Sequence, residues 1–271
     1  MSNDILPPSY ASAVPPGSSL VARLTNIFVA PGEVFAEIKP RPINHANWLV
    51  AGLIFLLASW SIGALIFSQE SIRHQMVEIQ EQAMQKQFQK QIDAGKMTQA
   101  QVDQFKAGAA QYGWVGQAFV FGIAPLIEAV KFPFIGGFIL WVGGACIFRR
   151  PFSYMKAVEC VGMVLVISAL GVLVKGLLIA AMGNMFASPG PILLVKNYDP
   201  TNQWHNLLAV LDVFLVWGLI VKSVALAKLA DISFAKAAAW VIGVSLSITG
   251  GMFAMSWAAQ HLIASLTGQG R

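Results

Sequence analysis

The chain has 271 residues, of which 56% are hydrophobic and 11% charged, and its formal net charge is +5. Soluble domains carry about 25% charged residues, so this composition excludes a water-soluble globular fold and indicates an integral membrane protein. The two cysteines exclude a disulfide framework, and the small basic surplus gives no reason to expect a nucleic-acid partner.

The N-terminal region divides into a tail and an amphipathic segment. Residues 1–18 are rich in proline, serine and alanine and lack the basic and apolar regions of a signal peptide, so we predict a disordered tail. Residues 19–42 carry apolar side chains on one face of two short helices, which predicts interfacial amphipathic helices lying along the membrane. Leu24, Phe28 and Phe35 are the candidate interfacial anchors. A docking surface for a cytosolic partner is the alternative role of this face.

Five apolar runs within residues 43–266 are long enough to cross about 30 Å of hydrocarbon, which needs about 20 helical residues each. Lipid offers backbone groups no hydrogen-bond partner, and these runs do not alternate in polarity as barrel strands do. The sequence therefore predicts an all-α, polytopic membrane protein with five transmembrane helices, followed by a short tail at 267–271. The predicted spans are 47–67, 119–148, 154–182, 205–228 and 234–266.

Between the first two spans, residues 68–112 are rich in glutamine and show helical periodicity. Gly95 predicts the end of one helix, and Thr98 with Gln101 predicts a capping box that starts the next. We therefore expect the first two spans to continue outside the membrane as an extramembrane helical hairpin. A spacer is the simpler role for this hairpin, and a binding module is the alternative.

The placement of lysine and arginine predicts the orientation of the spans. The short loop on one side holds only Lys196, and the C-terminus holds only Arg271. The 68–112 hairpin argues the other way, since it holds five basic residues beside five acidic ones. We predict a cytosolic N-terminus and an external C-terminus. The basic residues of the predicted inner flanks are Arg23, Lys39, Arg41, Arg149, Arg150, Lys156, Lys222, Lys228 and Lys236.

Several stretches resemble bacterial proteins of the Yip-domain family. "IFVAPGEVFAEIKPRP" followed by "NWLVAGLIFLL" is similar to the opening of that family, in which a short helix, a proline and a tryptophan precede the first of five spans. "FRRPFSYMKAVECVG" and the "LDVFLVWGLIVKSVALAKLADISFAKA" stretch also resemble its pattern. The resemblance covers about residues 19–265 and implies a multi-pass protein of the bacterial cytoplasmic (inner) membrane with its N-terminus in the cytosol. The Rab-type GTPase binding of eukaryotic members is not transferable to this chain.

Four ionisable residues fall within the apolar runs at a similar predicted depth, namely Glu128, Lys131, Lys175 and Asp212. A rise of 1.5 Å per residue places all four in or near the outer leaflet. A charge inside the bilayer costs about 2.5–3.5 kcal/mol, so we predict that Lys131 or Lys175 pairs with Asp212 and that Glu128 pairs with a neighbouring lysine. Structural pairing is one role for this candidate polar cluster. A site for a polar solute or lipid headgroup that opens outward is the other.

Gly243, Ser247 and Gly251 recur at four-residue intervals in the fifth span and predict a face for close helix packing. The sequence contains no GxSxG, P-loop, HExxH or Rossmann glycine pattern, so we predict no enzyme, no catalytic residue, no metal and no cofactor. The predicted function is a non-enzymatic scaffold for membrane organisation. Its predicted partners are the lipid bilayer and a homo-oligomer or another membrane protein. A small transporter or channel that uses the polar cluster is the main alternative, and a lipid-modifying enzyme is a third.

Overall fold

The computed structural model of the protein describes residues 17–195, 198–199 and 202–266. These residues form α-helices with short π- and 3-10-helical segments and contain no strand, which confirms the predicted all-α polytopic membrane fold. The predicted tails lie outside the described residues except for 17–18. The helices are α1 (Leu20–Asn26), α2 (Pro31–Ile38), α3 (Ala46–Ser68), α4 (Glu70–Asp93), α5 (Gln99–Ala118), α6 (Ala124–Val142), α7 (Tyr154–Met163), α8 (Leu165–Met182), α9 (Gln203–Val210), α10 (Val213–Ala230) and α11 (Phe234–Leu266).

Five helical segments in the described part of the chain are long and apolar enough to cross a membrane, as predicted. The second consists of α6 with a π-helical segment at each end, Phe119–Ile123 and Gly143–Ile147. Pro125 lies in the first turn of α6, directly after the first π-helical segment, and Pro133 lies inside α6. The five segments are Ala46–Ser68, Phe119–Ile147, Tyr154–Met182, Val213–Ala230 and Phe234–Met255.

The prediction of one continuous fourth span over 205–228 is wrong. The chain leaves the helical conformation after Val210, and α10 starts at Val213. Asp212 is the N-cap of α10, and its carboxylate accepts a hydrogen bond of 2.7 Å from the Leu215 backbone N–H. An aspartate that caps a new helix satisfies a free backbone donor, so the polar residue inside the apolar run marks a helix start rather than a buried charge.

The third span lies at the centre of the bundle, where it contacts α3, α6 and α10. Of the residues in its most apolar stretch, 44% are buried, the largest share among the five segments. Glycines allow α3 to approach closely. A Cβ added at Gly162 would lie 2.2 Å from Cβ of Trp48, and one at Gly176 would lie 2.2 Å from Cγ2 of Ile62. Larger residues at these two positions would force the helices apart.

The predicted hairpin consists of α4 and α5. Gly95 has a positive φ of 66° just after α4, and Thr98 and Gln101 form the predicted capping box at the start of α5. The rings of Phe88 and Phe105 meet edge to face at 5.2 Å. The hairpin is joined to the bundle near its base, where Gln75 Nε2 donates to the backbone carbonyl of Gly183 at 2.6 Å.

The two N-terminal helices are present as predicted, but their apolar side chains contact the protein itself. Leu24 and Phe35 are buried in the main core, and Phe28 packs edge to face on Trp217 with ring centroids 5.7 Å apart. The reason is that α2 lies against α10. A Cβ at Gly32 would lie 3.7 Å from Cγ1 of Val224. The three candidate anchors therefore pack on the bundle, and two of them, Leu24 and Phe35, are too deeply buried to insert into lipid.

Candidate functional site

A buried ion pair lies at the start of the third span. Lys156 Nζ and Glu159 Oε2 are 2.6 Å apart, and their side chains are only 8% and 1% exposed. The two residues are three positions apart on α7, a spacing that brings side chains together on one helix face. Removing two charges from water is costly unless further hydrogen bonds complete their surroundings.

The end of α2, the turn after it and the start of α3 supply these hydrogen bonds. Asn47 Nδ2 donates to Glu159 Oε1 at 2.6 Å, and the Asn44 backbone N–H donates to the same oxygen at 3.3 Å. Lys156 Nζ donates to the backbone carbonyls of Ile38 at 3.1 Å and Pro42 at 3.4 Å. Both members of the pair are therefore satisfied by a segment more than 100 residues earlier in the chain.

The contacts continue from Asn47 to α1 and α2. Arg23 donates to Asn47 Oδ1 at 3.4 Å and forms an ion pair with Glu37 at 3.1 Å. Ser18 donates to both carboxylate oxygens of Glu37, from its backbone N–H at 3.0 Å and from its hydroxyl at 2.6 Å. Burial raises the pKa of Glu37, but these hydrogen bonds and the Arg23 guanidinium together outweigh it and hold the pKa below its ordinary value of 4.5.

We call this set of side chains the polar network. It consists of Ser18, Arg23, Glu37, Asn47, Lys156 and Glu159. Its members come from α1 and the residue before its N-cap, from α2, from α3 and from α7, so the network joins four parts of the chain at one end of the bundle. Each charge faces an opposite charge within 3.1 Å. This arrangement fits a structural clamp.

The structure brings together two of the four residues of the predicted polar cluster. Glu128 and Lys131 form an ion pair on α6, with side chains 48% and 47% exposed. Lys175 is exposed on α8, and Asp212 caps α10. Asp212 makes no ion pair with Lys131 or Lys175 in the described part of the chain, so that predicted pairing is wrong. The cap supplies the hydrogen bond that a lysine partner was expected to provide.

The predicted packing face of the fifth span is open. Gly243, Ser247 and Gly251 are all exposed, and a Cβ added at either glycine would meet no atom within 4 Å. Of the residues in the apolar stretch of this span, 6% are buried, compared with 44% in the third span. The small residues of α11 therefore do not mediate helix packing among the described residues of the chain.

Sequence reasoning did not find the polar network. It placed Arg23 and Lys156 among the basic flanks and did not single out Glu37, Asn47 or Glu159. The available signal was the spacing of Lys156 and Glu159, an acidic and a basic residue three positions apart at the start of an apolar helix. Within the described ranges, no three His, Cys, Asp or Glu side chains come close enough together to hold a metal ion.

The fold defines a class, that of all-α multi-pass membrane proteins. Comparison with known proteins adds no narrower assignment, since no family model, no curated protein and no solved structure matches the chain.

Proposed function

We propose that the protein is a non-enzymatic scaffold of the Yip-domain type that associates with a second copy of itself through α11. In this proposal it resides in a bacterial inner membrane with its N-terminus in the cytosol. The association would hold two bundles side by side and position their N-terminal helices as a pair. This function has two requirements. The first is a surface for lateral contact, and the second is that α1 and α2 are fixed rigidly to the bundle.

The observation that carries the proposal is the uncovered small-residue face of α11. Membrane helices associate by close backbone packing, for which residues without large side chains at four-residue spacing are suited. Gly243, Ser247 and Gly251 have this spacing and face away from the rest of the described chain. The polar network supports the second requirement, because it fixes α1 and α2 on the same bundle that presents α11.

The transporter alternative receives no such support. The half-exposed pair of Glu128 and Lys131 satisfies its own charges, and Asp212 is engaged in a helix cap. A solute site built from these residues with Lys175 would need them to face one another across neighbouring helices.

Disulfide cross-linking in native membranes tests the proposal. In a Cys146→Ser, Cys160→Ala background, Ser247→Cys should form a covalent dimer on mild oxidation. Thr249→Cys is the matched control, because position 249 is also exposed but lies about 200° around the helix from position 247. A dimer with Ser247→Cys and little with Thr249→Cys supports the proposal. Equal dimer yields, or none with Ser247→Cys, would contradict it.

A second variant separates association from folding. Gly243→Leu adds a side chain where the chain itself has open space, so the monomer should remain folded while the Ser247→Cys dimer is lost. Gly176→Leu gives the opposite comparison, because its Cβ would already lie 2.2 Å from Ile62 and should destabilise the bundle. Retention of the dimer in the Gly243→Leu background would contradict a contact through this face.

A further inference from the structure

A cavity of about 630 Å³ borders the polar network, with which it shares Lys156, and its lining comes from the ends of three spans. The volume is within the range of small-ligand sites, about 300–1,000 Å³. The cavity is lined by Lys39, Arg41, Pro42, Ile43, Arg150, Pro151, Phe152, Ser153, Lys156, Leu229, Ala230 and Asp231.

The lining carries more positive than negative charge. Lys39, Arg41, Arg150 and Lys156 are basic, and Asp231 is the one carboxylate among the lining residues. Lys39 Nζ lies 2.5 Å from Asp231 Oδ2. The hydrogen bond and charge of Lys39, together with the more distant Arg150 and Lys228, hold the pKa of Asp231 below its ordinary value. Arg41 and Lys156 also face carboxylates, those of Glu37 at 3.6 Å and Glu159 at 2.6 Å. Among the described residues, the positive charge of Arg150 is therefore the surplus that favours an anion in the cavity.

The start of α7 adds donors for an anion. Ser153 lines the cavity and is the N-cap of α7, but its side chain makes no capping hydrogen bond to the first turn. The first turn of a helix presents backbone N–H groups and a partial positive charge, which suits a phosphate. Arg150 belongs to the linker that leads into α7. The helix N-terminus and the arginine therefore both attract an anion to the same part of the cavity.

The apolar part of the lining distinguishes a lipid from a soluble anion. Half of the lining residues are apolar, and they come from the turn before the first span, the linker before the third and the end of the fourth. The ends of helices that span a membrane lie where headgroups meet acyl chains, so we expect a cavity at the ends of these spans to face that zone. A soluble phosphate has no apolar group to pack against these walls, whereas the glycerol and upper acyl chains of a lipid would contact them.

We infer that this cavity binds the phosphate group of an anionic membrane lipid, with Arg150 and the first turn of α7 contacting the phosphate and the apolar wall contacting the lipid backbone. Basic pockets between membrane helices are suited to such headgroups, and each basic residue near the surface contributes about 1 kcal/mol to anionic lipid binding. The bound lipid would add a bridge between the α2–α3 turn and the α6–α7 linker. The inference is independent of self-association through α11.

Native mass spectrometry of the purified full chain tests the inference with phosphatidylglycerol and phosphatidylcholine as probes. The wild type should retain one phosphatidylglycerol in preference to phosphatidylcholine. Arg150→Gln should weaken that retention about fivefold. Arg149→Gln is the matched control, because it removes the same charge from the same linker at a residue that does not line the cavity. Arg149→Gln should retain the lipid as the wild type does.

An opposite substitution keeps the test independent of any loss of folding. Asp231→Asn removes the only carboxylate of the lining, so phosphatidylglycerol should be retained more strongly than in the wild type. Asn suits this position because residue 231 has a positive φ of 52°, which asparagine tolerates as aspartate does. An unchanged or weaker retention in Asp231→Asn would overturn the inference.

Two further results would also overturn it. One is an equal loss with Arg149→Gln and Arg150→Gln, which would mean that only the general charge of the surface attracts lipid. The other is displacement of phosphatidylglycerol by inorganic phosphate, which would assign the cavity to a soluble anion. Retention of the lipid against excess inorganic phosphate supports the lipid as the source of the phosphate group.

Discussion

Two pairs of oppositely charged residues, each three positions apart in an apolar helix, have very different surroundings. Glu128 and Lys131 form a pair on the surface of α6, with each side chain nearly half exposed. Lys156 and Glu159 form a pair inside the bundle, with side chains 8% and 1% exposed. Among the described residues, the surface pair forms no further ion pair, whereas the buried pair belongs to the polar network.

The comparison shows that local spacing sets the geometry of a pair but not its importance. The buried pair matters because the segment from the end of α2 to the start of α3 completes the hydrogen bonds of both charges. Loss of one partner then leaves the other charge buried, which costs far more than the loss of an exposed pair. The N-terminal helices depend on the buried pair and not on the surface pair.

The largest expected effect is that of Glu159→Gln. It leaves Lys156 charged and buried without its carboxylate, so the free energy of unfolding in detergent should fall by about 3 kcal/mol. Glu128→Gln is the matched control and should change it by less than about 1 kcal/mol, since that pair is exposed. Thermal or denaturant unfolding measures both. An equal fall in the free energy of unfolding in the two variants would contradict the greater importance of the buried pair.

A smaller loss is expected from Asn47→Ala, which removes the amide that joins Glu159 to Arg23. Leaving a buried acceptor without its donor costs about 1–3 kcal/mol. The loss should include faster proteolysis of α1 and α2, because the network no longer connects them to α7. Ser59→Ala on the same helix, whose hydroxyl bonds only to the Phe55 carbonyl, is the control. Unchanged proteolysis in Asn47→Ala would contradict a clamp.

Acid should weaken the N-terminal part of the network by about 1 kcal/mol or less. The pKa of Glu37 is lower in the folded protein than its ordinary value of 4.5, so its stabilising effect is full above about pH 4.5 and is lost as the pH falls through the folded pKa. Proteolysis of α1 and α2 should therefore increase in that window. Glu37→Gln should lack this pH dependence, and the same increase in that variant would assign the effect to another group.

The smallest effect concerns Asp212. Asn is as good an N-cap as Asp, so Asp212→Asn should leave the free energy of unfolding almost unchanged, whereas Asp212→Ala should lower it by about 1 kcal/mol. A large loss in Asp212→Asn, as measured by thermal unfolding, would indicate that the charge of Asp212 has an ionic partner after all.

Composition and periodicity predicted the five helical spans, the two N-terminal helices and the capping box at Thr98, because these depend on neighbours in sequence. The break before α10 depends on Asp212 acting as a cap, and an acidic residue in an apolar run indicates a cap or a buried charge equally well. The polar network requires Asn44 to meet Glu159, which is 115 positions away. No local sequence pattern contains that contact. The sequence therefore indicated the exposed charges of Glu128 and Lys131 as a candidate site and gave no sign that Lys156 and Glu159 are buried together.

A disulfide between α2 and α10 tests most directly whether α1 and α2 belong to the folded bundle. In the Cys146→Ser, Cys160→Ala background, Gly32→Cys with Val224→Cys places two sulfur-bearing side chains close together, since a Cβ at position 32 lies 3.7 Å from Cγ1 of Val224. We expect this intramolecular disulfide to form rapidly in native membranes. Little should form when Val29→Cys replaces Gly32→Cys, because the Val29 side chain is 80% exposed. A folded Gly32→Cys, Val224→Cys protein that forms no disulfide would contradict this placement of α1 and α2.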